Sequence, residues 1–580
     1  MDKRVLLTVV ICMGILFAWQ KFFAPPPPPP STSGPQATTP GAPNPEAAPA
    51  QPNAPAAPTA EKPAAEKPAG EKAAAEKPAG EKAAAEKAEA PAAPKPPELI
   101  DVVERPGLYR ARFSTWGAAP IEWTLLDPQY KETRTVDGKK ELVPINLVRT
   151  AEPRVPMMVT FPESSFKLGE DAAWTRDKAT ADELVYSWQT DQVRVEKHYT
   201  FTHGYDFKLD VTIENRSDKP LGEKLELAMY GWQDPNVKPG GMFSQRFIQT
   251  SGVCDNNGKL HQADLQALFK APVEALGQVR WVGYDEKYFL AAAATKPVAN
   301  EDRKCRIMAY VDGTIGSTLR FAERQIAAKE KTDYELAVFF GPKILGALDD
   351  VKVGGVDSKL SDAVDYGWKE MLARPMLAVL KAVHRVVPNW GIAIIVLTIL
   401  IKALTWWPTT KSMRSMKAMA RLKPEMDKLK AKFGDDKARM NQEVMELYKR
   451  HGVNPLGGCL PMLIQFPIYI ALYAMLGNSV ELYRSGFAWI HDLTAADPFY
   501  ILPLLTGVLM FVQQKTAPQS PDAQAKAMMY TMPLMFTAFS IFLPAGLTVY
   551  ILTNTVLTFA QQWWMNRNDP SPVVAKPAKA

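Results

Sequence analysis

The chain has 580 residues, enough for several domains, with 22% charged residues, a net charge of +6 and a mean hydropathy of −0.16. This small positive charge excludes the strongly basic class of nucleic-acid-binding proteins, and no specific nucleic-acid site is expected. Four cysteines without a CxxC pair exclude a disulfide-rich scaffold. The averages hide a division, because Pro, Ala, Lys and Glu are concentrated near the start of the chain and apolar runs near its end.

Residues 1–23 predict a transmembrane anchor. Lys3 and Arg4 precede an apolar run over residues 5–19, a pattern that also fits a secretory signal. No small-x-small cleavage site follows, which favours the anchor. The positive-inside bias keeps the two basic residues in the cytoplasm and sends the following segment outward.

Residues 24–97 form a linker in this interpretation. They begin with six prolines, residues 25–30, and continue as a five-residue repeat in which each Glu is followed by Lys. Proline runs are extended and semi-rigid, and EKAAA units are partly helical. Such a segment holds a domain at a distance from the membrane.

Residues 98–345 alternate with a period of two, which predicts a β-sandwich. The clearest pattern is a hairpin over residues 193–215, where the alternation is interrupted by Lys197 and resumes after a turn that contains Gly204. Cys254 and Cys305 both lie in this region and can pair if it is exported.

We find little chemistry in the β-region. Its histidines His198, His203 and His261 lack a metal-binding context, so neither a metal site nor a cofactor is predicted. Its aromatic residues are open to two interpretations, a sugar-binding cleft or a core. A structural or partner-binding role fits better than an enzymatic one.

Residues 371–388 predict an amphipathic helix, with apolar residues at helical spacing and basic residues on other faces. Such a helix fits the membrane surface. The alternative is a packing helix of the preceding domain.

Residues 389–565 contain five apolar segments, which predict a five-span helical membrane domain. Several segments are near or below the ~20 residues that cross a bilayer. Prolines interrupt them, and the freed carbonyls need neighbouring helices or water, so these helices are expected to surround a polar space. The segments are residues 390–407, 460–476, 499–512, 528–543 and 547–564.

Loop charge predicts the topology. Residues 411–450 hold twelve Lys and Arg against six Asp and Glu, which indicates a cytoplasmic loop. Residues 478–498 carry a single Arg484 and three acidic residues, which indicates an outer loop. Together with the anchor this gives six spans, with both termini and the tail, residues 566–580, in the cytoplasm.

The cytoplasmic part, residues 409–452, predicts an antiparallel helical hairpin with two apolar stripes. One interpretation is that its positive charge only fixes the topology, and the other is a partner site for the ribosome or anionic lipid. The basic residues that we assign to it are Lys417, Arg421, Lys423 and Lys428.

Lys402 is the single charge in the first apolar segment, five residues before Trp407. At ~1.5 Å per residue it lies roughly 8 Å inside the predicted cytoplasmic boundary. The lysine either snorkels to the headgroups or faces a hydrated cavity, where an intramembrane charge is functional by default. Candidate polar partners on other segments are Gln465, Tyr550, Thr553 and Asn554.

Four motifs in this region closely resemble the YidC membrane insertases of Gram-negative bacteria. They are NPLGGCLPMLIQFPIY at 454–469, FAWIHDL at 487–493, DPFYILP at 497–503 and PAGLTVY at 544–550. The order of anchor, linker and β-domain agrees with that family. The first motif contains helix-kink and motif positions Pro455, Gly457, Gly458, Pro461 and Pro467.

The resemblance implies a five-helix core around a hydrophilic groove, with one basic residue at the position of Lys402. Family members often have Arg there, so Lys keeps the charge but loses the planar fork. The resemblance also implies a periplasmic domain with a supersandwich fold and a cytoplasmic hairpin that receives substrates. It makes nascent membrane proteins the substrates and the Sec translocon a partner.

The function predicted from the sequence is therefore that of an inner-membrane protein insertase and chaperone, which is not an enzyme. No ATP-binding motif or nucleophile constellation appears. A transporter or channel is the competing class, and the lack of an inverted repeat weighs against it. A structural scaffold would leave Lys402 unexplained.

Overall fold

A computed structural model describes residues 97–136, 138–169, 172–236, 249–299, 301–434, 436–453, 460–516 and 523–568. The predicted anchor, all but the last residue of the predicted linker, most of the predicted tail, and the motif positions Pro455, Gly457 and Gly458 lie outside these residues.

The first half of the described chain is β-rich, as the period-two pattern predicts. Its strands are β1 Ile100–Arg105, β2 Tyr109–Ser114, β3 Ala119–Leu125, β4 Lys131–Val136, β5 Lys139–Pro144, β6 Met158–Thr160, β7 Thr175–Ala179, β8 Glu183–Gln189, β9 Val193–Phe201, β10 Asp206–Asn215, β11 Leu221–Glu223, β12 Glu226–Trp232, β13 Thr250–Asn256, β14 Lys259–Asp264, β15 Val273–Gly277, β16 Val279–Glu286, β17 Phe289–Thr295, β18 Arg303–Ala309, β19 Thr314–Arg320, β20 Arg324–Ile326, β21 Lys331–Pro342, β22 Lys352–Val353 and β23 Val356–Asp357.

Two antiparallel sheets dominate this β-domain. The larger has nine strands in the order β14-β13-β16-β17-β21-β10-β9-β8-β7, and the smaller has five in the order β15-β18-β19-β12-β6. Cys254 on β13 and Cys305 on β18 form a disulfide between these two sheets. A buried aromatic cluster includes Trp123 on β3, whose ring stacks on Phe207 of β10 with centroids 5.2 Å apart.

The predicted hairpin is present, because β9 and β10 pair antiparallel in register from Phe201–Phe207 to Val193–Asn215. Lys197 does not interrupt its buried face as the sequence suggests. The side chain points inward with the alternating apolar residues and is fully buried. Its ammonium donates to the carbonyls of Gly117 (2.8 Å), Ala118 (3.1 Å) and Met157 (2.9 Å), so an inward position accommodates the charge.

The second half of the described chain is helical. Three 3₁₀ turns, Leu360–Ala363, Gly367–Lys369 and Val480–Leu482, accompany ten helices. The helices are α1 Leu265–Leu268 and α2 Leu345–Asp349, both within the β-rich half, then α3 Glu370–Val386, α4 Trp390–Arg421, α5 Lys423–Phe433, α6 Lys437–Arg450, α7 Leu460–Asn478, α8 Ile501–Thr516, α9 Ala523–Ser540 and α10 Ala545–Asn568.

Local signals explain where α4 and α6 begin. The Asn389 side chain accepts from the backbone N–H of Ile392 (3.1 Å), and the Asp436 side chain accepts from that of Arg439 (3.0 Å). Each is an N-cap, which satisfies a backbone donor that the first helical turn leaves free. Among the described residues α4 alone is long and apolar enough to cross a membrane, and Leu463–Asn478 within α7 is a shorter apolar stretch.

Candidate functional site

Lys402 lies on the face of α4 that packs against α10. Its residue is 6% exposed, and its Nζ donates to Oγ1 of Thr558 at 2.8 Å. Among the residues that the structure describes, no carboxylate pairs with Lys402. The ammonium is therefore directed into the helix pair, with a single hydroxyl as its acceptor there.

A second set of polar contacts joins α7 to α10. The amide nitrogen of Gln465 donates to the hydroxyl of Tyr550 at 2.7 Å, and the amide of Asn554 donates to the hydroxyl of Tyr469 at 3.4 Å. The rings of Tyr469 and Tyr550 meet edge to face at 5.6 Å. These contacts place predicted partners on one side of α10, whereas Thr553 bonds to the Val549 carbonyl of its own helix.

We call this set the polar seam, and it spans α4, α7 and α10. Its members are Lys402, Gln465, Tyr469, Tyr550, Asn554 and Thr558. The sequence analysis missed Thr558 and Tyr469. A signal was available for the first, because Tyr550, Asn554 and Thr558 recur every four residues and therefore share one helix face.

The α4 side of the helix pair carries hydroxyls at the same kind of spacing, at Thr398, Thr405, Thr409 and Ser412, all buried. The first three donate to carbonyls of their own helix three or four residues back, with distances of 2.6 to 3.3 Å. This stripe was also visible in the sequence, because spacings of seven, four and three residues place these side chains on one helix face. The opposite face is apolar and open, with Leu404 83% exposed.

The remaining predicted motif positions are Pro461 and Pro467. Pro461 is the second residue of α7, where a missing backbone N–H has no cost. Pro467 lies inside the same helix.

The helical hairpin that the sequence predicts is formed by α5 and α6, which pack together. The hydroxyl of Tyr448 contacts the sulfur of Met426 at 3.3 Å. Of the assigned basic residues, Lys423 and Lys428 lie on α5, while Lys417 and Arg421 lie on the long extension of α4. Lys417 is buried, and its ammonium donates to the Met565 carbonyl near the end of α10 at 2.8 Å.

The loop at residues 479–498, which connects α7 to α8, contacts the β-domain. The amide of Gln129 donates to the carbonyls of Glu481 (3.1 Å) and Tyr483 (2.7 Å). The hydroxyl of Tyr483 donates to the Lys131 carbonyl at 2.9 Å, and its ring lies 5.1 Å from that of Tyr288. The loop and the β-domain therefore share one side of the helical region.

Comparison with known proteins gives a consistent result. The chain matches the families described as YidC periplasmic domain over residues 107–379 and 60Kd inner membrane protein over residues 382–571. It is 37% identical over 487 residues to a membrane protein insertase YidC of Anaeromyxobacter sp. (strain Fw109-5), covering 81% of this chain and 85% of that relative.

A membrane protein insertase YidC of Syntrophus aciditrophicus (strain SB) is 35% identical over 475 residues, covering 79% of this chain and 84% of the relative. Among solved structures, an active YidC insertase with its first transmembrane domain resolved covers 80% of this chain and 95% of its own, with 17% identity and a TM-score of 0.35.

Proposed function

The chain belongs to the YidC family of membrane protein insertases, and we propose that it integrates inner-membrane proteins along the polar seam. The observation that carries this proposal is the burial of Lys402 with one hydroxyl partner in the described part of the chain. An intramembrane cation is costly, so its retention favours a functional role.

The proposed topology has six spans, with residues 1–23 as the first and α4, α7, α8, α9 and α10 as the others. Large apolar side chains exposed on several of these helices support contact with lipid, since an exposed apolar patch of this kind marks a membrane or partner surface. Those on α8 and α9 include Leu504, Val508, Phe511, Leu534, Met535 and Phe539.

Two observations support the proposed orientation. The loop at residues 411–450 is strongly basic, which favours the cytoplasm. The loop at residues 479–498 contacts the β-domain through Gln129 and Tyr483, so the two belong on one side, which we assign to the periplasm. Helix α3 then lies at the periplasmic surface, where Lys381 pairs with Glu481 at 2.5 Å.

In the proposed mechanism, the polar flank of an incoming segment enters the seam from the cytoplasm. The charge of Lys402 lowers the cost of carrying acidic residues partway across a low-dielectric layer. The apolar part of the segment then partitions into lipid. The membrane potential adds about 2.3 kcal/mol per charge per 100 mV, so no nucleotide is required.

The proposed partners are nascent membrane proteins, the Sec translocon for larger substrates, and the ribosome or anionic lipid at the hairpin. Exposed Lys428 on α5 and Arg421 at the end of α4 supply positive charge on that side. Both the ribosome and the inner leaflet are negatively charged, so electrostatic steering supports this assignment.

The first test is depletion of the protein in cells while the insertion of a small two-span protein is followed by protease accessibility. Normal insertion after depletion would contradict insertase activity itself.

The second test compares Lys402→Ala with Lys402→Arg on substrates with and without acidic flanks. We expect Ala to slow insertion of the acidic substrate about tenfold, a loss of roughly 1.4 kcal/mol, and Arg to retain it. Lys411→Ala, at an exposed position on the same helix, is the matched control for net charge. Equal activity of Ala and Arg on every substrate would mean that the lysine only snorkels.

A further inference from the structure

Gln561 on α10 makes an unusual set of contacts for a buried amide. The residue is fully buried, and its Nε2 lies 2.8 Å from Oγ1 of Thr410, 3.2 Å from Oγ1 of Thr409 and 3.3 Å from the carbonyl oxygen of Trp406. All three acceptors belong to α4. One side chain therefore joins α10 to three groups within residues 406–410 of the partner helix.

These acceptors surround Pro408, which lies inside α4. A proline within a helix removes one backbone donor and disturbs the preceding turn. The hydroxyls of Thr409 and Thr410 donate back to the carbonyls of Thr405 and Trp406, at 2.7 Å each. Gln561 thus contacts the turn of α4 in which Pro408 removes a backbone hydrogen bond.

The oxygen of the same amide points to a role other than stability. Oε1 of Gln561 is buried and has no hydrogen-bond partner among the described residues. A buried acceptor without a donor costs about 1–3 kcal/mol, and an apolar residue of the same size would avoid this cost. A residue kept only for packing would not be expected to be glutamine here.

Gln561 also lies next to the pair that contains the functional charge. Thr558, the hydroxyl partner of Lys402, is three residues before Gln561 on α10, and Thr409 is seven residues after Lys402 on α4. Both spacings keep the residues on one helix face. The Gln561 contacts and the Lys402–Thr558 contact are therefore successive links between the same two faces.

We propose that Gln561 is a positioning residue for insertion, which holds the turn of α4 at Pro408 against α10 and thereby keeps the ammonium of Lys402 directed at Thr558. This inference rests on the proposed role of Lys402 in the seam. It predicts that substrates which need the Lys402 charge also need Gln561, and that other substrates do not.

The geometric test measures the reactivity of Lys402 itself in the full-length protein in native membrane vesicles. Reductive methylation of lysines is followed by mass spectrometry of the peptide that contains Lys402. In Gln561→Met, which keeps the volume and removes the amide, we expect methylation about fivefold faster, because loss of the hydrogen bonds loosens the seam. Gln562→Met is the matched control, since Gln562 is also buried and makes no described bond to α4.

The functional test is a double-mutant cycle on insertion. For a substrate that Lys402→Ala slows, Gln561→Met should slow insertion about fivefold alone and add nothing to Lys402→Ala, because both act through one charge. Additive effects, or equal slowing of substrates that tolerate Lys402→Ala, would overturn the proposal. Unchanged methylation of Lys402 would also overturn it, whereas insertion unaffected by Lys402→Ala would contradict the proposed function instead.

A second pair of variants guards against a general folding defect. Thr410→Ser keeps the hydroxyl that accepts from Gln561, and Thr410→Val removes it at nearly constant volume. We expect Ser to behave as the unsubstituted protein and Val to reproduce the faster methylation of Lys402. If Ser and Val behave alike, the hydrogen bond does not position the lysine.

Discussion

Two buried lysines, one in each half of the molecule, differ in how their charge is satisfied. Lys197 in the β-domain donates to three backbone carbonyls, which uses all three of its N–H groups. Lys402 in the helical region donates to one hydroxyl among the described residues. Both side chains are almost fully enclosed, so burial alone does not distinguish them.

The difference lies in what remains available to another molecule. Burial lowers the pKa of Lys197 to about 7, and its three carbonyls leave no donor for a ligand. Lys402 keeps donors that no described group uses. We infer that a saturated buried cation is part of the fold, and that an unsaturated one inside a membrane domain is kept for a passing substrate.

The largest expected effect is on stability, and it tests whether Lys197 is part of the fold. Lys197→Met keeps the length of the side chain but leaves three buried carbonyls without a donor. We expect the free energy of unfolding to fall by about 3–5 kcal/mol, as when one partner of a buried charged network is removed. Denaturant unfolding of the full-length protein in detergent measures this, with Lys331→Met, exposed on β21, as the control.

Insertion measured at a temperature where the Lys197→Met variant is folded should be unchanged. If the variant is stably folded but inserts substrates poorly, Lys197 has a role in insertion and not only in the fold.

A smaller effect tests whether every buried charged group that lacks hydrogen-bond partners has a role in insertion. Both carboxylate oxygens of Glu286 are buried without a hydrogen-bond partner among the described residues, and Arg149 lies 3.8 Å away. Burial raises the pKa of Glu286 to about 7. Because this residue lies outside the seam, Glu286→Gln should leave insertion unchanged.

The sign of its pH effect follows from the raised pKa. As pH rises from about 4.5 to 7, the unfolded chain releases the Glu286 proton first, so this group lowers the stability of the folded state over that range. Glu286→Gln removes this loss, so we expect it to be more stable than the unsubstituted protein by about 3 kcal/mol at pH 8 and equal at pH 4. A difference that does not depend on pH would contradict the assignment.

The smallest expected effect concerns the single described partner of Lys402. Thr558→Val removes the hydroxyl acceptor, but water in the seam can replace it. We therefore expect insertion of an acidic substrate to slow only about threefold. Thr555→Val is the control, because among the described residues the Thr555 hydroxyl bonds to the Ile551 carbonyl of its own helix alone. If Thr555→Val has the same effect, the loss reflects helix packing.

Local patterns in the sequence predict much of this molecule. The period-two alternation of residues 193–215 predicts the hairpin of β9 and β10, and the apolar stripes around Asp436 predict the pair α5 and α6. These two predictions are confirmed because each depends on residues that are close together in the sequence. The family motifs predict the insertase function, which the relatives confirm.

Other features depend on contacts between distant residues. The alternation puts Lys197 on the face of Val195 and Tyr199, but its charge made it an interruption there, because the carbonyls that accept from it come from residues 117, 118 and 157. Similarly, the sequence shows Gln561 near the end of an apolar segment without indicating that it meets Thr410, 151 residues away. The same holds for the contact of Gln129 with the loop at residues 479–498.

The hydroxyls along α4 and α10 also bear on how long a substrate stays. Thr398, Thr409 and Thr558 each donate their proton to a carbonyl of their own helix, so they offer a passing chain an acceptor but no free donor. Among the described members of the polar seam Lys402 is the single cation, so on the proposed route we expect it to attract an acidic segment most strongly. Because few groups along this route bind strongly, we expect a substrate to be released rapidly. The time that a substrate spends there should then depend mainly on Lys402.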